Sequence, residues 1–129
     1  MRSRALAVLA AALLAGCSTG DVPPTDGDRP EIYADASTGV LTREQAERCR
    51  AAGGEVRRGG LAGFEQCVYA FADAGTACTD GSQCEGQCRA VGDTAFGEPV
   101  AGVCQADSSP FGCYAEVEDG LATAALCVD

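Results

Sequence analysis

The chain has 129 residues, with nine Lys plus Arg, 19 Asp plus Glu, no His, no Trp and nine Cys, for a formal net charge of −10. This length and acidity exclude a multidomain enzyme, a polytopic membrane protein and a basic nucleic-acid binder. The absence of His excludes any mechanism that needs an imidazole.

The chain starts with a segment that reads as a leader. Arg2 and Arg4 precede a run of apolar residues over 5–14, which ends in Leu14-Ala15-Gly16-Cys17. The run is too short to span a bilayer, which takes about 20 apolar residues as helix. A charged start, a short apolar core and small residues before a break are the pattern of a secretory signal. The tetrapeptide LAGC resembles the lipobox of bacterial lipoproteins, with Leu at −3 and small residues at −2 and −1 before Cys. That resemblance implies cleavage after Gly16, a diacylglyceryl thioether on Cys17 and acylation of the new α-amine. Two or more acyl chains hold a protein on a membrane for long times, because each buried methylene adds about 0.8 kcal/mol. The residue after Cys is Ser18 rather than Asp, which by the same resemblance implies the outer membrane rather than the inner. The expected organisation is a signal peptide over residues 1–16, a lipidated Cys17 with a disordered acidic tether to residue 40, and a domain over 41–129. The tether reading rests on Pro23, Pro24, Pro30 and five acids set against Arg29 alone.

With Cys17 alkylated, eight Cys remain: Cys49, Cys67, Cys78, Cys84, Cys88, Cys104, Cys113 and Cys127. They make up about one residue in eleven of the segment 41–129, a density that in an exported chain reads as a disulfide framework. Eight Cys allow on the order of a hundred connectivities. Placement on the expected elements favours Cys49 with Cys67, joining helix to strand, and Cys113 with Cys127, stapling the last hairpin. Cys78 with Cys88 and Cys84 with Cys104 would interlock the middle. Zinc fits poorly, because Cys84-x3-Cys88 departs from the C-x2-C spacing and no His is present as a co-ligand. No metal and no cofactor is expected.

Residues 42–52 read as a helix. Thr42 and Gln45 fit a capping box, Ala46, Cys49 and Ala52 form a small-residue face, and Gly53-Gly54 ends the helix. Gly59-Gly60 between β-like runs over 55–58 and 64–71 signals a hairpin. Within it Glu65, Cys67, Tyr69 and Phe71 face one way and Phe64, Gln66, Val68 and Ala70 the other. Residues 73–99 show only turn chemistry and are expected to form knotted loops. The run from Cys78 to Cys88 is similar to short C-S-C-G-C runs of small knotted extracellular modules, a similarity that implies no function. Residues 100–105 read as a strand, and Asp119-Gly120 between 113–118 and 121–128 is a strong hairpin signal. The expected fold is thus a small disulfide-rich α+β domain, with one N-terminal helix followed by short β-hairpins and knotted loops. Only six aromatics fall in the domain: Phe64, Tyr69, Phe71, Phe96, Phe111 and Tyr114. With so thin a core, bridges that each add about 2–4 kcal/mol decide whether the chain folds.

After loss of Arg2 and Arg4 the chain carries seven Arg, no Lys and 19 acids, net −12. Residues 41–68 hold Arg43, Arg48, Arg50, Arg57 and Arg58 against four Glu, and residues 69–129 hold Arg89 against ten acids. The acidic half repels nucleic acid and anionic lipid and suits a basic protein partner; equally, it is a solvated face that aids solubility. The five Arg could form an anion patch, but are expected rather to pair with Glu44, Glu47, Glu55 and Glu65 beside them. Acid–base chemistry would rest on carboxylates such as Glu116, Glu118 and Asp119. No G-x-S-x-G elbow, P-loop or EF-hand spacing occurs in the sequence. These readings imply a lipid-anchored envelope protein that acts by binding or structure and is not an enzyme, similar to small Cys-rich envelope lipoproteins without an assigned activity. An inhibitor of exported hydrolases, presenting residues 86–100 as a bait loop, is the alternative.

Overall fold

Thr42 opens the one helix of the described chain, α1 (Arg43–Ala51), through the capping box expected from the sequence. Its Oγ1 accepts from the Gln45 amide at 3.2 Å, and the Gln45 Oε1 accepts from the Thr42 amide at 2.8 Å, so two N-terminal donors are satisfied reciprocally. At the other end the Gly53 amide donates to Arg50 O and the Gly54 amide to Cys49 O, a Schellman closure with Gly53 at φ 80°. This computed structural model describes residues 29–129. The leader 1–16, the lipidation site Cys17 and the first part of the tether lie outside the described residues. Among the described residues no helix is long and apolar enough to cross a membrane.

The chain then forms the antiparallel hairpin β1 (Glu55–Gly59) and β2 (Phe64–Val68), with Val56 opposite Cys67 and Arg57 opposite Gln66. The second edge of β2 is taken by the segment expected to be tether. The Cys67 amide donates to Ile32 O at 2.9 Å, the Ala34 amide to Glu65 O at 3.0 Å, and Tyr33 bridges to Gln66. Ile32, 5% exposed, packs with Leu41, Cys49, Cys67 and Tyr69 as the first core. Residues 29–40 therefore belong to the fold, and the tether reading is corrected over that stretch. The physical reason is local: Ile32 supplies apolar burial, and its flanking backbone completes the ladder that β2 leaves open.

The region 73–99, read as loops, contains two short strands. β3 (Ala77–Cys78) and β4 (Cys88–Ala90) flank β5 (Gly102–Cys104) in the order β3-β5-β4. Strands of two or three residues leave no periodicity to read, and here pairing with the sequence-distant β5 decides them. β5 is shorter than the strand expected over 100–105.

The C-terminal hairpin comes in two sections. β7 (Val117–Glu118) and β8 (Leu121–Ala122) meet at Asp119-Gly120, whose φ values of 49° and 77° are those of a type I′ turn. Further out, β6 (Gly112–Tyr114) pairs with β9 (Leu126–Val128), with Cys113 opposite Cys127. Between the sections Ala115 and Glu116 oppose Thr123, Ala124 and Ala125, a one-residue bulge. There the strand turns to β4: Glu116 bridges to Arg89, and the Ala90 amide donates to Ala115 O at 2.9 Å. Val117, 0% exposed, fills the second core with Cys78, Cys88 and Cys104.

Four disulfides join Cys49–Cys67, Cys78–Cys88, Cys84–Cys104 and Cys113–Cys127, the four pairs put forward from the sequence. The molecule is a small disulfide-rich α+β protein.

Candidate functional site

Where the hairpin β1–β2 meets the segment after β5, a recess of about 360 Å³ opens, lined by Arg57, Arg58, Gln66, Arg89, Asp107 and Ser109 among others. Three distant stretches build it. The hairpin β1–β2 supplies the two consecutive Arg and Gln66, β4 supplies Arg89, and the segment from the end of β5 supplies the rest of the floor. Gln66 (4% exposed) and Gln105 (9%) are the buried polar residues among the described residues. Gln66 Nε2 donates to Ser109 Oγ at 3.4 Å, and Gln105 Nε2 donates to the carbonyls of Asp107 and Ser109. The Asp107 carboxylate accepts from the Ser109 amide at 3.0 Å, so the loop is fixed from within. Phe111 closes one side by packing against Gly59, where a Cβ would stand 2.4 Å from the ring and 2.5 Å from Gln66 Nε2. Gly59, read as a turn residue, thus also serves as a seat for Phe111.

The arginines are held differently from the sequence expectation. Arg43 does pair with Glu47, at 2.8 Å, and Arg58 with Glu65, at 3.3 Å. Arg57 instead reaches Asp107, fifty residues away, at 2.6 Å. Arg89 has no carboxylate partner among the described residues. Its Nε and Nη2 donate to Gln87 Oε1 at 3.2 and 2.9 Å, and its guanidinium lies 3.7 Å over the Tyr114 ring. Gln87 is oriented for this by its Nε2, which donates to Glu116 Oε1. A guanidinium has five N–H donors, so three on Arg89 are left for a ligand. Sequence reading missed Arg89, Gln66 and Gln105. The available signal was that Arg89 is the lone cation of the acidic half.

Glu116, Glu118 and Asp119, weighed from sequence as acid–base groups, do come together, and Asp80 joins them around a second recess of about 360 Å³. Glu116 and Asp80 are engaged structurally, and Glu118 and Asp119 stand exposed beside them. Glu116 orients Gln87. Asp80 accepts from the Ser82 amide and hydroxyl at 2.9 and 2.6 Å and from the Asp119 amide at 3.2 Å, and these bonds, Ser82 foremost, hold its carboxyl below the usual range. Asp80 caps the 3-10 turn Gly81–Gln83 and anchors the β7–β8 turn.

The segment 29–40 is pinned over the first core. Arg29 binds Glu85 at 2.7 Å and lies over the rings of Tyr69 and Phe71. The Tyr69 hydroxyl donates to Pro30 O at 3.0 Å, and burial pushes its pKa up against the pull of Arg29 and Arg48. In the loop weighed as bait, Phe96 is 78% exposed but sits with Gly97 (φ 77°) in a turn closed by the Glu98 amide on Ala95 O at 3.1 Å. The sulfurs of Cys78, Cys84 and Cys104 lie within 4.8 Å of one another. All three are spent in disulfides, and a metal takes thiolates, so the donor set of the bridged chain does not fit an ion. Comparison with protein-family models, with curated proteins and with solved structures finds no match for this chain.

Proposed function

We propose that this chain is a lipid-anchored protein of the cell envelope, held through Cys17 on the outer membrane, and that it works by binding rather than by catalysis. The observation that carries the reading is the covalent frame: four bridges closing a fold whose two cores are built largely from Cys. Such a chain needs an oxidising space to fold, which is where a lipobox leader would deliver it. Its means of binding is the arginine recess, with the exposed acids Asp93, Glu98, Glu118 and Asp119 as a complementary surface for a basic protein partner. The inhibitor reading has weaker support, since a tight turn at Phe96-Gly97 does not offer the extended bond a hydrolase would engage.

The test is the intact mass of the membrane-extracted protein, with and without reduction. The expected species begins at Cys17, carries acyl chains that a Cys17→Ala variant lacks, and gains two hydrogens per bridge on reduction. A chain retaining residues 1–16 with freely reactive thiols would overturn the proposal.

A further inference from the structure

We infer that the recess between β1, β4 and the loop after β5 binds a doubly charged tetrahedral oxyanion of the phosphate type, with Arg89 as its principal donor. The inference rests on the binding reading above and gives it a ligand class. Charge balance is the first support. Arg57, Arg58 and Arg89, against Asp107 on Arg57 and Glu65 on Arg58, leave the recess at net +1, on a chain that is otherwise strongly acidic. A cationic surplus on an acidic chain selects for an anion.

The second support is how Arg89 is held. With 19 acids in the chain, a carboxylate partner for this one cation of the acidic half would be easy to provide. The fold holds it with neutral groups instead: the Tyr114 ring beneath its face and the Gln87 amide along one edge. That arrangement fixes the plane of the guanidinium while leaving its charge uncancelled and its other edge open. A planar fork fixed in advance is what bidentate recognition of an oxyanion requires. Arg57 adds to this, since its bond to Asp107 uses one Nη2 and leaves further donors.

The third support is the floor. Gln66 and Gln105 are buried and bonded within the protein, so the recess is preformed and ordering it costs a ligand little. A planar carboxylate presents two oxygens to three guanidinium groups and leaves one unmatched. A tetrahedral dianion serves all three.

The test is a calorimetric titration of the full processed protein in detergent with inorganic phosphate, with sulfate, acetate and chloride as comparators. Saturable phosphate binding with Kd below about 1 mM is expected, with sulfate comparable and acetate and chloride much weaker. Arg89→Gln should weaken phosphate binding roughly ten- to hundredfold. Arg58→Gln, on an exposed side chain held only by its 3.3 Å pair with Glu65, should weaken it several-fold, and Arg43→Gln on the helix surface should leave it unchanged. Arg89→Lys keeps the charge and loses the fork, and should recover only part of the affinity. Vesicles bearing a phosphomonoester lipid separate the sources: binding to them in an Arg89-dependent way names a headgroup, and binding of free phosphate alone names a solute. Absence of saturable phosphate binding, equal affinity for acetate, or unchanged affinity in both Arg89→Gln and Arg58→Gln with all four bridges formed would overturn the inference. The envelope reading fails separately, on the mass of the extracted protein.

Discussion

Gly54 is the position where local backbone geometry and the covalent frame meet, and substituting it gives a sharp test. A Cβ built there stands 2.4 Å from Cys67 Sγ, 2.9 Å from Cys49 Sγ and 2.7 Å from the Tyr69 ring. None of these atoms is the end of a flexible side chain. Cys49 is 0% exposed, Tyr69 is 5% exposed, and the two sulfurs are bonded to each other. Gly54→Ala must therefore shift the bridge, the ring or the helix end, an overpacking cost of about 1–3 kcal/mol. For a domain near 100 residues each kcal/mol moves the melting temperature by roughly 4–8 °C. The neighbour Gly53 provides the comparison. Its Cβ would meet nothing within 4 Å, but its φ is 80°. Gly53→Ala should cost about 1–2 kcal/mol, from backbone conformation alone. Thermal unfolding of the non-reduced proteins measures both costs. Partial reduction with mass mapping separates their causes, because only Gly54→Ala should make Cys49–Cys67 the bridge that opens first. If Gly54→Ala melts with the parent, with four bridges formed and Cys49–Cys67 no more reducible, the packing argument for the first core is wrong.

Other outcomes follow from the same geometry. Val117 is 0% exposed among Cys78, Cys88 and Cys104, so Val117→Ala should destabilise by about 2 kcal/mol in denaturant unfolding. Ile32 is 5% exposed in the first core, so Ile32→Ala should cost about 2–4 kcal/mol and raise proteolysis within residues 29–40; an unaffected variant would restore the tether reading. Asp80 is held below its ordinary value of 3.8 by the Ser82 hydroxyl, the Ser82 amide and the Asp119 amide. A carboxyl depressed in the folded state adds stability above its unfolded pKa and loses it as pH falls through the folded one. Asp80→Asn should therefore be less stable than the parent near neutral pH, with the difference closing below about pH 4; a difference independent of pH would exclude this role for the carboxylate.

The parts of the fold legible in the sequence are those specified by neighbouring residues. Thr42 with Gln45 and Gly53 with Gly54 bound the helix by local hydrogen bonds, and Asp119-Gly120 sets its turn by backbone preference. Once those elements stand, the pairing of Cys49 with Cys67 and of Cys113 with Cys127 follows from adjacency. β3 and β4 were not legible, because two or three residues define no period and their partner β5 lies far along the chain. The docked segment was hidden by its composition: Pro and acids surround Ile32, its one large apolar side chain that buries. The recess was hidden for the same reason as β3 and β4. Arg57, Gln66, Arg89 and Gln105 come from separate stretches, and only the packed chain brings them to one place.

The disposition of the bridges bears on where a ligand would act. Cys49–Cys67 closes the half built from α1, β1 and β2, and the other three bridges lie between residues 78 and 127. None links the two halves. The seam is held instead by Arg57 on Asp107, by Arg29 on Glu85, by the Tyr69 and Ser108 backbones and by Phe111 seated on Gly59. The Arg57–Asp107 pair is partly exposed and adds little, so the seam rests on the more buried Arg29–Glu85 pair, the backbone bonds and the Phe111 contact, with no covalent tie across it. The proposed oxyanion would sit across it, taking Arg57 and Arg58 from one side and Arg89 from the other. Bound there, it would add the cross-link that the covalent frame omits, and whatever it gains from touching both halves it gives back as resistance of the seam to opening.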